Sequence, residues 1–153
     1  MYKIVSILIC MVSLLACSAE SVEEGNQKLQ GQLSKAIKEA QSNQDSIEFK
    51  EIADFPWDRM FIFPPYTPVE TINEELGVSW SKVGSTGIQN RDDINLIVFV
   101  KDNKVVRYLE YPRGQGDFAD IKKTGGFEPE AAVFQVVKEQ IGGQEWIQLR
   151  QYE

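Results

Sequence analysis

Between Trp57 and Phe63 the chain alternates so that both sides of an extended strand are largely apolar. Trp57, Arg59, Phe61 and Phe63 fall on one side and Asp58, Met60 and Ile62 on the other. Such a strand needs cover on both faces. Pro64 and Pro65 remove two backbone donors and fix φ, so pairing ends there. Thr67 then stands where an N-cap belongs, with Pro68 at the first helical position and Glu70 completing a capping box. Val69, Ile72 and Leu76 recur at helical spacing, and Gly77 supplies a left-handed stop, so the pattern predicts a helix over 68–76.

Upstream, Leu29, Leu33, Ala36, Ile37 and Ala40 form a second helical stripe with Lys28, Lys35, Lys38 and Glu39 between them. It predicts an amphipathic helix over 26–41, frayed at Gly31. A stripe this short favours packing on the domain's own sheet over a coiled coil or a partner-docking helix. Residues 42–46 read as a loop, and 47–52 as a strand leading into the aromatic one. Residues 78–80 resume extended backbone, and the segment around Ile88 falls into no class. Residues 94–100, apolar except for Asn95 and rich in β-branched side chains, predict the most buried strand. Asp102-Asn103 tolerates positive φ and returns the chain as a partner strand over 105–111. Regular structure breaks at 112–117 and again at Thr124-Gly125-Gly126. The end admits two readings: a helix over 131–141 begun by Pro129, or a hairpin of 133–139 with 146–152 across Gly142-Gly143. The β formers Val133, Phe134, Val136 and Val137 favour the hairpin. The sum is a single α+β domain in which an N-terminal amphipathic helix and one short capped helix pack on an antiparallel sheet of about five or six strands.

The start of the chain concerns address rather than fold. Met1-Tyr2-Lys3 carries one positive charge, and the apolar run over 4–15 is broken only by Ser6, Cys10 and Ser13. It matches the core of a secretory signal and is too short to span a bilayer comfortably. At its end, Leu14-Leu15-Ala16-Cys17-Ser18 resembles the lipobox of bacterial lipoproteins, with Leu15 in place of the usual small or β-branched residue. The resemblance implies that residues 1–16 are removed as a signal peptide and that Cys17 is diacylated on sulfur with palmitate-like chains. Residues 17–25 would then form a lipidated tether and 26–153 the single domain. It also implies a cell-envelope protein held to the membrane through acyl chains on Cys17. Ser18, rather than Asp, after the lipidated Cys implies the outer membrane if the source is Gram-negative. Cys10 would leave with the signal and Cys17 would become a thioether, so no disulfide is expected.

Charge and residue usage narrow the chemistry. The net charge of −7 becomes one unit more negative when Lys3 is removed, which argues against nucleic acid and against electrostatic adsorption to anionic lipid. There is no His, so Ser-His-Asp and Cys-His catalysis and the common zinc sites are excluded. Asp58, Asp92, Asp93, Asp117 and Asp120 are the candidates for a glycosidase pair, but no spacing among them selects two. Asp92-Asp93 with Asn90 and Asn95 offers oxygen ligands without the Gly and Glu of a recognised Ca²⁺ loop, and the glycines near Arg113 and Thr124 do not form a phosphate cradle. No cofactor or metal is expected. Of the aromatic group Phe55, Trp57, Phe61, Phe63, Tyr66 and Trp80, most belong to the core. Tyr66, between a double proline and a helix cap, is the one expected on display, and Arg113 is the expected exposed cation. These two are the candidate ligand-binding residues. The Leu76-Gly77 helix end followed by strands is similar to small helix-plus-sheet lipoproteins that scaffold or inhibit other envelope proteins. The expected function is therefore non-catalytic binding of another envelope protein or a wall component. The alternative is a carboxylate-dependent hydrolase of envelope glycans.

Overall fold

The structure, a computed structural model, describes residues 21–43 and 45–151. The expected signal peptide over 1–16, Cys17 and Ser18 lie outside the described residues. In chain order the elements are α1 (Val22–Asn43), β1 (Ser46–Glu48), α2 (Phe49–Ile52), β2 (Arg59–Phe63), α3 (Val69–Leu76), α4 (Val83–Thr86), β3 (Ile94–Lys101), β4 (Lys104–Pro112), β5 (Val133–Ile141) and β6 (Gln144–Gln151). The class is α+β, as expected. The strands are all antiparallel, but they divide into two sheets of three, β2-β3-β4 and β1-β5-β6, rather than forming one.

β3 is the middle strand of its sheet and is buried along nearly its whole length. Its alternation sorts the core into two clusters. Leu96, Val98 and Val100, with Phe61 and Phe63 of β2, meet Ile72 and Leu76 of α3 and Val83 of α4. Ile97 and Phe99, with Met60, Ile62, Leu109 and Tyr111, meet Leu29, Leu33 and Ile37 of α1 and Phe134 and Leu149 of the second sheet. Each fully buried side chain of this kind contributes about 1.5–3 kcal/mol, so the two-faced strands hold the fold. Trp57 departs from the alternation. Bends at Phe55 and Asp58 end the extended run before Arg59, and Trp57 packs edge-on against Phe99, 5.3 Å between centroids, in the α1-side core.

Several local expectations are corrected. α1 runs unbroken through Gly31 and starts earlier than 26, because a capping box sits at Ser21: the Glu24 N–H donates to Ser21 Oγ and the Ser21 N–H to Glu24 Oε2. No such box exists at Thr67. α3 begins at Val69 with Pro68 as its cap, and the Thr67 hydroxyl instead donates to the Pro64 carbonyl at 2.6 Å, closing the turn that Tyr66 makes. Gly77 is left-handed at φ 67, as expected. The strand expected over 47–52 stops at Glu48, where one helical turn buries both Phe49 and Ile52. Residues 78–80 pair with no strand, and the Trp80 N–H is taken by Asn73 Oδ1.

Both hairpins form as expected. Asp102 and Asn103, at φ 48 and 56, join β3 to β4, and Gly142 and Gly143, at φ 61 and 83, join β5 to β6, so the helical reading of 131–141 is excluded. What keeps the sheets apart is how their edges are covered. The Asn26 side-chain amide of α1 lies against the backbone of Tyr108 on the outer side of β4. The segment between β4 and β5 is stitched to both sheets. Met60 and Phe127 exchange backbone hydrogen bonds of 2.8 and 2.7 Å, and Asp117 bonds Ile147 and Leu149 of β6, both at 2.8 Å. Gly126 makes the first approach possible: at φ 72, a Cβ there would lie 2.9 Å from the Met60 carbonyl.

Candidate functional site

Asp117 gathers the densest polar group of the domain. Its carboxylate is 2% exposed and accepts from five donors. Oδ1 takes Arg113 Nε at 3.0 Å, the Ala119 N–H at 3.0 Å and Asn95 Nδ2 at 3.2 Å. Oδ2 takes Arg113 Nη2 at 2.7 Å and Trp146 Nε1 at 3.2 Å. Burial pushes this carboxyl up, but Arg113, the Ala119 N–H and Asn95 together outweigh it and hold the pKa below the ordinary aspartate value. Arg113 also donates through Nη1 to the Asp92 carbonyl and lies over the Trp146 ring.

The elements explain the convergence. β3 alternation sends Asn95 to the same face as Ile97 and Phe99, the helical turn after β4 carries Arg113, and β6 supplies Trp146. Arg113, expected as an exposed cation, is therefore turned inward and committed to Asp117. A carboxylate with every lone pair engaged has no capacity left for a substrate, so the cluster is a latch between the two sheets. The buried Asn95 Oδ1 has no partner among the described residues, since its own Nδ2 is drawn toward Asp117.

The other acidic candidates are dispersed. Asp58 accepts from Lys101 Nζ and the Asp102 N–H, and Asp93 is gripped by Arg91, which also reaches Glu110. Every carboxyl with a displaced pKa among the described residues, namely Glu24, Asp54, Asp58, Asp93 and Asp117, is displaced downward. Of the oxygens considered for Ca²⁺, Asn95 is buried with its amide on Asp117, whereas the Asp93 carboxylate is exposed and held by Arg91. Among the described residues no group of His, Cys, Asp or Glu is placed to hold a metal.

Tyr66 stands where the sequence placed it. It is 61% exposed, and its backbone is held at φ 62, with its N–H donating to the Ile88 carbonyl at 3.0 Å. Pro64 and Thr67 on either side of it help to line a groove of about 290 Å³ whose other walls include Thr71, Glu75, Lys122 and Lys123. Among the described residues neither lysine has a carboxylate within ion-pair distance, while Lys123 Nζ lies 5.0 Å from the Phe127 ring centroid. The groove was not legible in the sequence, because it joins the proline corner to a segment more than fifty residues away.

Comparison with protein-family models, with characterised proteins and with solved structures finds no match for this chain.

Proposed function

We propose that this chain is a lipid-anchored protein of the bacterial cell envelope, attached through acyl chains on Cys17, that binds another envelope protein or a wall component and is not a catalyst. The observation that carries the reading is Tyr66, a large aromatic side chain displayed on a backbone held by Pro65 before it, by the bond from its own N–H to Ile88, and by the Thr67 hydroxyl bond to Pro64 after it. A side chain on a rigid mount loses little further entropy when a partner docks, and the groove beside it adds cations and hydroxyls. The lipobox-like run ending at Cys17 supports the address. A glycan hydrolase would need a carboxyl held protonated at neutral pH, and the displaced carboxyls move the other way.

The test is capture from the source envelope by wild-type protein and by Tyr66→Ala. Loss of capture in the variant, with an unchanged thermal transition, supports the reading. Equal capture by both chains refutes a role for Tyr66. Arg113→Ala is no longer a surface probe, because it breaks the latch. The address is tested separately by labelling with a fatty acid: label on wild type that vanishes in Cys17→Ala is expected, and label that persists refutes acylation at Cys17.

A further inference from the structure

β2 leaves one unused position on its outer edge. Met60 exchanges backbone bonds with Phe127 on that side. Alternate residues of a strand direct their backbone groups to opposite neighbours, so the Ile62 N–H and C=O point the same way as those of Met60. Among the described residues neither group has a hydrogen-bond partner. Pro64 offers no N–H, which ends the edge on one side of Ile62. On the other side Gly125 and Gly126, at φ 77 and 72, turn the linking segment away from β2, and the Gly125 carbonyl accepts from Arg59 Nη1 at 2.8 Å. The 290 Å³ groove lies at this position. Ile62 and Phe63 line it, α3 contributes Thr71 and Glu75, and the linking segment contributes Lys122, Lys123 and Thr124.

We propose that this groove takes the free C-terminal end of an extended L-peptide, the tail of a protein partner, an inference that rests on the binding reading above and names its ligand. The room on the edge selects a chain end. A guest running antiparallel to β2 from the Pro64 side can set one residue opposite Ile62. The next position, opposite Phe61, is taken by Gly126, where even a Cβ would lie 3.0 Å from the Phe61 ring. The guest therefore stops opposite Ile62. A peptide stops in an ammonium or in a carboxylate, and charge decides between them. Lys122 and Lys123 bring two positive charges and Glu75 one negative, and none of the three has an ion-pair partner among the described residues. One carboxylate makes the groove neutral, whereas an ammonium raises the positive excess and a polyanion reverses it. The last residue donates its N–H to the Ile62 carbonyl, and its carboxylate accepts from the Ile62 N–H and from the lysines, a charge-assisted arrangement. Pairing with an L-strand in this way needs residues in the ordinary β region, hence an L-peptide. Tyr66, two residues beyond Pro64, stands on the side from which the guest arrives.

The test offers the full-length protein to an array of random-sequence L-pentapeptides held by their N-termini, beside the same peptides ending in an amide and the same sequences built from D-residues. The expected result is retention by free-acid L-peptides that falls about tenfold or more when the end is an amide, or when the last peptide nitrogen is methylated. The double variant Lys122→Gln, Lys123→Gln should lose retention to a similar degree, and Lys122→Arg, Lys123→Arg should keep it. Both lysines are exposed, so the thermal transition should stay that of wild type. The proposal is overturned if no peptide is retained, if amides or D-peptides are held as well as L-acids, or if the Gln variant binds like wild type. Capture from the source envelope separates this inference from the wider reading. Capture that depends on Tyr66 but not on the two lysines overturns the chain-end ligand and leaves the binding reading standing. Lysine-dependent peptide retention with envelope capture indifferent to Tyr66 supports the chain-end ligand and refutes the role of Tyr66.

Discussion

Replacing Asp117 by Asn keeps the shape of the side chain and removes its charge, which makes it a sharp probe of the latch. An amide has one acceptor oxygen. If that oxygen replaces Oδ1, the new NH₂ faces Arg113 Nη2 and Trp146 Nε1; if it replaces Oδ2, the NH₂ faces Arg113 Nε, Asn95 Nδ2 and the Ala119 N–H. Either way, donors are set against donors in a buried site, and Arg113 loses its counter-charge. Breaking a buried pair typically costs about 3–5 kcal/mol, and because Arg113 is 28% exposed the lower end applies. With a urea slope of about 2 kcal/mol/M, the unfolding midpoint should fall by about 1.5 M. The pH dependence has a defined sign. The folded carboxyl titrates below its unfolded value, so its contribution is complete above the unfolded pKa and is lost as pH falls through the folded one. The gap between wild type and variant should be constant from about pH 5 to 8 and should close below about pH 4. A midpoint shift under about 0.5 M at neutral pH, or a gap that does not narrow in acid, would refute the reasoning.

Gly126→Ala should destabilise by about 1–3 kcal/mol, read as a lower melting temperature, because its Cβ would meet the Met60 carbonyl at positive φ; an unchanged transition would mean the loop can withdraw from β2 at no cost. Thr67→Ala should cost about 1 kcal/mol through the lost bond to Pro64, whereas Glu70→Gln should stay within about 0.5 kcal/mol; equal losses in chemical denaturation would restore the capping box. Tyr66→Gly should not lower the unfolding midpoint, since Gly accepts φ 62 freely, yet it should lose whatever capture Tyr66 provides. A large loss of stability would show that the ring is part of the core.

What the sequence disclosed was the local and the periodic. The two-faced alternation of β2, the apolar run of β3, the Asp102-Asn103 and Gly142-Gly143 turns and the Gly77 stop are each set by near neighbours, and each stands in the structure. The capping signature was present twice, at Ser21-Glu24 and Thr67-Glu70, and only geometry separates them. Tyr66 adopts a left-handed conformation that swings Thr67 back over Pro64, whereas nothing diverts Ser21. Arg113 and Asp117 stand four residues apart, a spacing that could have suggested their pairing. That the pair lies buried depends on β6 arriving from thirty residues downstream, and no local pattern reports that. The division into two sheets is hidden for the same reason, since it depends on which edges α1 and the linking segment happen to cover.

That linking segment, bonded to both sheets through Asp117 and Phe127, also orders events in time. β3–β4 and β5–β6 are hairpins between sequence neighbours, and such pairings form with little loop-closure cost, while β1 finds β5 only across most of the domain. The hairpins are therefore expected to be in place before the segment docks, and its contacts to be largely absent from the folding transition state. Substitutions at Asp117 or Gly126 should then leave the refolding rate almost unchanged and accelerate unfolding, a pattern that stopped-flow chevrons would show directly. The latch would then govern how long each folded molecule lasts, and much less whether it folds at all.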